Sequence, residues 1–153
     1  MKVKYIGKYD IVIGVQQTST ERLTLCKEYL VIELLSSVKK GVSYRLIGDN
    51  EDASPAIFPA SEFEIITSRV PTNWSLTIKK NGLIVNGPTS WRKPGFWEDC
   101  CDHEPEALEI YKREARIIYE EEGKQINLVR ISEMLKAEPI IENGWIERFS
   151  KEK

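Results

Sequence analysis

The feature that most constrains this chain is the short spacing of its apolar runs between residues 1 and 69. Each run holds three to seven residues and is bounded by turn formers, most densely at 48–55, with the sequence GDNEDASP. Runs of this length, rich in β-branched and aromatic side chains, predict strands. The predicted strands are 3–6, 29–35, 42–47, 56–58 and 63–66, with a single 3₁₀ turn at 59–62.

Five short strands with a 3₁₀ turn before the last one are typical of a small barrel. The region resembles the SH3-like barrels of small bacterial proteins of uncharacterised function, through a Lys-x-Tyr-x-Val motif and a later Phe-Pro-x-x-x-Phe-Glu motif. The matching residues are Leu23, Thr24, Lys27, Tyr29, Val31, Tyr44, Arg45, Phe58, Pro59, Phe63 and Glu64. The resemblance implies an SH3-like β-barrel over 1–69. The chain departs from the pattern at Cys26, where glycine is frequent; we interpret Cys26 as a small buried hydrophobic residue.

The composition changes after residue 70. Every tryptophan lies beyond this point, at Trp74, Trp91, Trp97 and Trp145. Alternating apolar and polar residues at 74–79, the Asn81-Gly82 pair and a second apolar run at 83–85 predict a β-hairpin over 74–86 with a type I′ turn.

Apolar residues recur at helical spacing after Pro105, which suits a first helical position. The spacing predicts an amphipathic helix over 105–121, with Asp102 as the N-cap acceptor and Gly123 at the C-terminus. The helix should bury one face, formed by Leu108, Tyr111, Ala115 and Ile118. Residues 126–129 fit either a strand or the start of a second helix, and Asn143-Gly144 is a predicted turn.

These elements predict an α+β protein: a small SH3-like β-barrel at 1–69, followed by a hairpin plus helix extension at 70–153 that packs on the barrel as one compact unit. The chain of 153 residues is long enough to bury a core without a disulfide or a metal.

The densest chemistry is the run from Glu98 to Glu104, which contains Cys100, Cys101 and the only histidine, His103. Zinc sites use spaced ligand pairs, whereas the side chains of adjacent cysteines diverge, so we expect no metal. A cysteine activated by His103 would make a small cysteine-dependent enzyme, but the neighbouring carboxylates raise a thiol pKa. We expect no cofactor, because the chain lacks a glycine-rich phosphate loop.

The overall charge and the cysteine usage exclude some partners. The formal charge is −2 and the pI is near 5.6, so we do not expect a nucleic-acid partner. No apolar run approaches the ~20 residues of a membrane span. Three cysteines and no export signal predict a cytoplasmic location.

The charge is unevenly distributed along the chain. Residues 98–122 hold ten acidic and three basic side chains, a net charge of −7, so the rest of this −2 chain carries +5. A solvated helix face would account for this pattern, and so would an acidic surface that steers a basic protein partner. The loop before the helix carries Trp and Arg, residue types that are frequent at binding hot spots. The loop aromatics could instead simply pack the helix onto the hairpin.

We therefore expect a non-enzymatic protein-binding module that contacts an unidentified, basic partner through the acidic helix and the aromatic loop. An immunity-type inhibitor of a basic toxin is one specific form of this hypothesis, and the cysteine-dependent enzyme is the alternative from another class. The candidate binding residues are Trp91, Arg92, Phe96, Trp97, Glu109, Glu114 and Glu120.

Overall fold

The computed structural model describes residues 1–10, 12, 14–49 and 54–123. The predicted strand, helix and turn beyond residue 123 lie outside these ranges. The described strands are β1 Lys2–Tyr5, β2 Lys8–Asp10, β3 Val15–Gln17, β4 Glu28–Ser37, β5 Gly41–Ile47, β6 Pro55–Pro59, β7 Phe63–Thr67, β8 Trp74–Ile78 and β9 Ile84–Pro88. The helices are α1 Phe96–Cys101 and α2 Pro105–Glu121, and single 3₁₀ turns occupy Ala60–Glu62 and Thr89–Arg92.

The long strand β4 organises a seven-stranded antiparallel sheet. Its first residues pair with β1, with Lys2 opposite Leu30, and its second half pairs with β5, with Leu34 opposite Tyr44. The same second half also pairs with β9, with Leu34 opposite Asn86. The hairpin β8–β9 therefore extends the sheet on the edge of β4 opposite β5, beyond the residues that pair with β1.

The α+β class is confirmed, but the predicted closed barrel is wrong. The main path through the sheet runs β6-β5-β4-β1-β7, and its two end strands do not pair with each other in the described part of the chain. The strands β2 and β3 form a separate two-stranded hairpin that the sequence did not predict.

Both faces of β4 are buried, which explains its unbroken apolar sequence. Val31 belongs to a core cluster with residues of β1, β5 and β7, whereas Leu30 and Ile32 belong to a second cluster under α2. Val31 and Ile32 are each 0% exposed. The strand thus joins the two cores.

The predicted hairpin forms, but its turn is not type I′. A type I′ turn needs positive φ at both central residues, and Gly82 alone has it within this loop. The backbone hydrogen bonds from Gly82 to Lys79 and from Lys79 to Leu83 close a three-residue loop. Asn81 contributes through its side chain, whose Oδ1 accepts a hydrogen bond from the Leu83 backbone.

The helix predicted over 105–121 is confirmed, and so is its buried face. The four predicted residues are all buried: Leu108, Tyr111, Ala115 and Ile118. The predicted cap is wrong, because Asp102 ends α1 instead, and Glu104 precedes α2 without a side-chain capping bond. The predicted loop before α2 instead contains the 3₁₀ turn Thr89–Arg92 and the start of the short helix α1.

Cys26 is exposed, so its interpretation as a buried residue is wrong. Its φ is +63°, in the left-handed region. The backbone there turns so that the Cys26 N–H donates to the Tyr5 carbonyl, which directs the side chain outward. Glycine adopts a left-handed φ without the steric cost that a Cβ brings, so the backbone at this position favours glycine.

Candidate functional site

An aromatic cluster fixes α1 and α2 to the sheet. Trp91 lies at the centre, with its ring centroid 5.6 Å from that of Tyr111 and 5.2 Å from that of Trp97. Phe96 completes the cluster, 5.2 Å from Trp97. Trp91 and Phe96 are each only 2% exposed. The predicted binding residues Trp91 and Phe96 are thus core residues. Their rings pack α1 and α2 onto the sheet and are not accessible to a partner.

Arg92 is half-buried and binds the hairpin β8–β9. Its guanidinium donates to the Ser75 hydroxyl at 3.1 Å and to the Gly87 carbonyl at 2.8 Å, and also contacts the Thr77 hydroxyl. These bonds connect the 3₁₀ turn at Thr89–Arg92 to both strands of the hairpin. The conformation of Arg92 is therefore set by the fold.

Below α1 lies a buried ion pair that the sequence did not reveal. Arg45 Nε on β5 donates to Glu33 Oε2 on β4 at 2.9 Å, and Glu33 is 2% exposed. Burial raises the pKa of the Glu33 carboxyl, while the charges of Arg45 and Arg92 act in the opposite direction. Gly87 makes room for this carboxylate, since a Cβ at that position would lie 2.9 Å from Glu33 Cγ.

Trp97 covers the other side of Arg45. The guanidinium carbon lies 3.7 Å from the centroid of the Trp97 ring, a cation–π contact between β5 and α1. Beside this contact is a cavity of about 260 Å³, lined by residues of β5, α1 and α2. Of the predicted binding residues, Trp97 is the one that faces this cavity.

The three predicted glutamates of α2 have different surroundings. Glu109 and Glu120 are exposed. Glu114 is half-buried and accepts hydrogen bonds from Asn73 at 3.0 Å, Ser90 at 3.1 Å and Arg113 at 2.7 Å. Burial raises its pKa, but these hydrogen bonds outweigh burial and lower it overall. Glu114 therefore ties α2 to the segments before β8 and after β9.

The exposed acidic residues concentrate where α1 leads into α2. We call this surface the acidic corner, and its members are Glu98, Asp102, Glu104, Glu106 and Glu109. All five are exposed, and none of them forms an ion pair with another residue of the described ranges. The acidic corner continues into an open groove along α2, whose lining includes the half-buried Ile110 and Ile117.

The structure brings Cys100, Cys101 and His103 together in the lining of the cavity beside Arg45. Cys100 is half-buried and its Sγ donates to the Ala107 carbonyl at 3.7 Å. Burial, with help from the nearby Cys101 and Asp99, raises the pKa of the Cys100 thiol to about 12, so it is protonated at neutral pH. His103 is exposed with a φ of +59°, and within the described ranges its side chain forms no hydrogen bond with either thiol. Across the described residues, no three His, Cys, Asp or Glu side chains are grouped to hold a metal ion.

Comparison with known proteins leaves the site to be judged by its own geometry. No protein-family model, no curated protein and no solved structure matches this chain. Neither helix in the described ranges is long and apolar enough to cross a membrane. The two candidate binding features of the described structure are therefore the acidic corner and the cavity beside Arg45.

Proposed function

We propose that the protein is a non-enzymatic protein-binding module and that the acidic corner contacts a basic protein partner. The observation that carries this proposal is the group of five exposed carboxylates without ion-pair partners in the described ranges. Unpaired charges of one sign on a short stretch of surface create a field that accelerates encounter with an oppositely charged protein.

The groove beside the acidic corner supports a protein as the occupant. Its lining combines the aliphatic side chains of Ile110 and Ile117 with charged residues of both signs, the acidic Glu106 and Glu109 and the basic Lys112, Arg113 and Arg116. Protein interfaces have this composition, with an apolar centre and a charged rim. A partner could therefore be steered by the carboxylates and held by apolar contact in the groove.

The proposal narrows the set of contact residues. Glu109 stays within it, and Glu120 is an exposed neighbour at the far end of α2. Glu114 is left out because its hydrogen bonds are internal, and Trp91 and Phe96 are left out because they are buried. The acidic residues at the start of α2 take their place.

A charge-reversal experiment tests the proposal. The variant Asp102→Lys/Glu106→Lys/Glu109→Lys changes the acidic corner. The variant Glu21→Lys/Glu28→Lys/Glu64→Lys is the control for net charge, because it reverses three exposed carboxylates elsewhere, of which Glu28 and Glu64 pair with Lys2 and Lys4. Each bait captures proteins from a lysate of the source cells, and association rates of captured proteins are then measured against salt. We expect a basic protein that binds the wild type and the control but associates at least tenfold more slowly with the corner variant.

The salt series provides the second readout. Steered association slows as ionic strength rises, because the screening length falls to about 8 Å at physiological salt. A partner that binds the corner variant at the wild-type rate and with the wild-type salt dependence would show that the carboxylates are only a solvated surface.

An immunity-type inhibitor is the specific form that the acidic corner favours, since toxic nucleases are often basic. The test is to add the purified protein to the captured partner and to measure nuclease activity. Inhibition by the wild type and not by the corner variant would support this form, while an unaffected partner would leave a binding module without inhibitory function.

We further propose that strands β1, β4, β5, β6 and β7 are an SH3-like unit. Their order β6-β5-β4-β1-β7 and the 3₁₀ turn Ala60–Glu62 immediately before β7 support this assignment. The positive φ of Cys26, at the glycine position of the pattern, supports it independently. The three free thiols favour a cytoplasmic location, which fractionation of the source cells would test.

A further inference from the structure

The cavity beside Arg45 is a separate feature from the acidic corner. It lies between β5, α1 and α2, and its volume of about 260 Å³ equals roughly nine water molecules at about 30 Å³ each. Its lining is mainly apolar and includes Trp97, Leu108 and Tyr111. Mostly apolar walls with a few polar groups are typical of small-molecule sites.

Arg45 is the arginine that lines this cavity in the described part of the chain, and it is paired with Glu33. Glu33 is the one carboxylate of the buried cluster, and both Arg45 and Arg92 stabilise its ionised form. Two guanidinium groups thus face a single carboxylate. Arg45 lines the cavity and uses Nε for its bond to Glu33, and its terminal nitrogens form no hydrogen bond with another residue of the described ranges. No carboxylate is among the residues lining the cavity in the described part of the chain.

Tyr111, which also lines the cavity, has a hydroxyl group without a hydrogen-bond partner in the described ranges. The residue is 1% exposed. Burial raises the pKa of this hydroxyl well above its usual value, and Arg45 and Cys100, which both line the cavity, are close enough to act on it. The hydroxyl is therefore neutral and able to donate. A buried polar group without a partner destabilises the folded protein, and a ligand that accepts its hydrogen bond would remove that cost.

We propose that this cavity binds a small organic carboxylate with a flat apolar body. The Arg45 guanidinium and the Tyr111 hydroxyl hold the carboxylate, and the apolar body lies along the Trp97 ring and Leu108. Arginine suits this role because its planar fork matches the geometry of a carboxylate.

The test uses benzoate as the probe and benzamide as its neutral isostere. Binding is measured by titration, with the indole N–H resonance of Trp97 as the site-specific reporter. We expect benzoate to bind saturably and to shift the Trp97 resonance, and benzamide to bind at least tenfold more weakly, since it lacks the charge that Arg45 recognises.

Two tyrosine variants make the test specific. Tyr111→Phe removes an unpartnered hydroxyl, so the thermal midpoint should not fall, while affinity for benzoate should drop about tenfold. Tyr119→Phe is the matched control, because Tyr119 is also a buried tyrosine of α2 but does not line the cavity; its benzoate affinity should equal the wild-type value. The proposal is overturned if benzoate does not saturate, if benzamide binds equally well, or if Tyr111→Phe keeps the wild-type affinity. In each of those cases the cavity holds water only.

Discussion

Arg45 and Trp97 stack face to ring, with the guanidinium carbon 3.7 Å from the ring centroid, and this contact joins the sheet to α1. On its other side, Arg45 is held by Glu33 on β4. The order Glu33, Arg45, Trp97 therefore crosses three elements through two different interactions. Any disturbance of Glu33 should reach α1 through Arg45.

Gly87→Ala is the least invasive way to disturb this arrangement. The added Cβ would lie 2.9 Å from Cγ and 3.3 Å from Cβ of Glu33, so the carboxylate must shift from its position beside Arg45. Overpacking of this kind costs about 1–3 kcal/mol. Chemical denaturation should show that loss, whereas the matched control Asn86→Ala, at the next residue of β9, should change stability by less than about 0.5 kcal/mol. Equal effects would mean that Glu33 moves freely.

Ile118→Ala should test the core under α2. The side chain is 0% exposed, and its truncation leaves a cavity between α2 and β4, so we expect the free energy of unfolding to fall by about 2–5 kcal/mol. Ile117→Ala is the control on the neighbouring, half-buried position and should cost clearly less. If both variants lose the same amount, the buried face of α2 has been assigned incorrectly.

Cys26→Gly should stabilise the protein. A left-handed φ of +63° costs a non-glycine residue about 1–2 kcal/mol, and part of that gain is offset because glycine makes the unfolded chain more flexible. We expect a net increase of about 0.5–1 kcal/mol in the free energy of unfolding. Cys26→Ala keeps the strained backbone and should show no comparable gain. A destabilised glycine variant would indicate that the thiol makes a stabilising contact.

The sequence predicted correctly those elements whose conformation follows from their own pattern of apolar and polar residues. Strand β4 and helix α2 are long, and in both the apolar residues of the sequence are the ones that the structure buries. The hairpin β2–β3 was missed because β3 is exposed throughout and carries no apolar alternation. Helix α1 was missed because its six residues contain less than two turns, and its main support is the packing of Phe96.

Of the candidate site, the sequence could predict only the acidic corner, because an excess of acidic residues is visible in the sequence itself. The acidic corner follows from the excess of carboxylates at 98–122, which the sequence displays directly. The pair Glu33–Arg45 and the buried Tyr111 hydroxyl depend on which strands and helices come together. The prediction of a closed barrel failed for the same reason, because closure depends on pairing between strands that are distant in the chain.

Asp49 should make stability depend on pH. Burial raises the pKa of its carboxyl, but hydrogen bonds from Lys27, Tyr29 and Thr24 outweigh burial and lower it overall. A carboxyl with a lowered folded-state pKa stabilises the protein above the unfolded pKa of about 3.9, and that contribution disappears as the pH falls through the folded value. Asp49→Asn should therefore reduce stability at pH 7, and the difference from the wild type should begin to shrink near pH 4 and close as the pH falls through the lowered pKa of the folded state.

The control for the pH series is Glu21→Gln, which removes an exposed carboxylate outside the acidic corner without an ion-pair partner in the described ranges. Its stability should follow the wild type across the same pH range. A constant difference between Asp49→Asn and the wild type at every pH would show that Asp49 acts through its shape and not through its charge.

Thiol mapping separates the binding module from the cysteine-dependent enzyme. Burial raises the pKa of the Cys100 thiol to about 12, whereas Cys26 and Cys101 are exposed. Because the thiolate is the reacting form, iodoacetamide at pH 7 should label Cys26 and Cys101 first and leave Cys100 unmodified in the folded protein. Mass spectrometry of timed samples measures the three rates, and a denatured sample shows that Cys100 can be labelled once exposed. Rapid labelling of either cysteine next to His103 at pH 6, faster than Cys26, would instead indicate an activated nucleophile and would contradict a purely binding role.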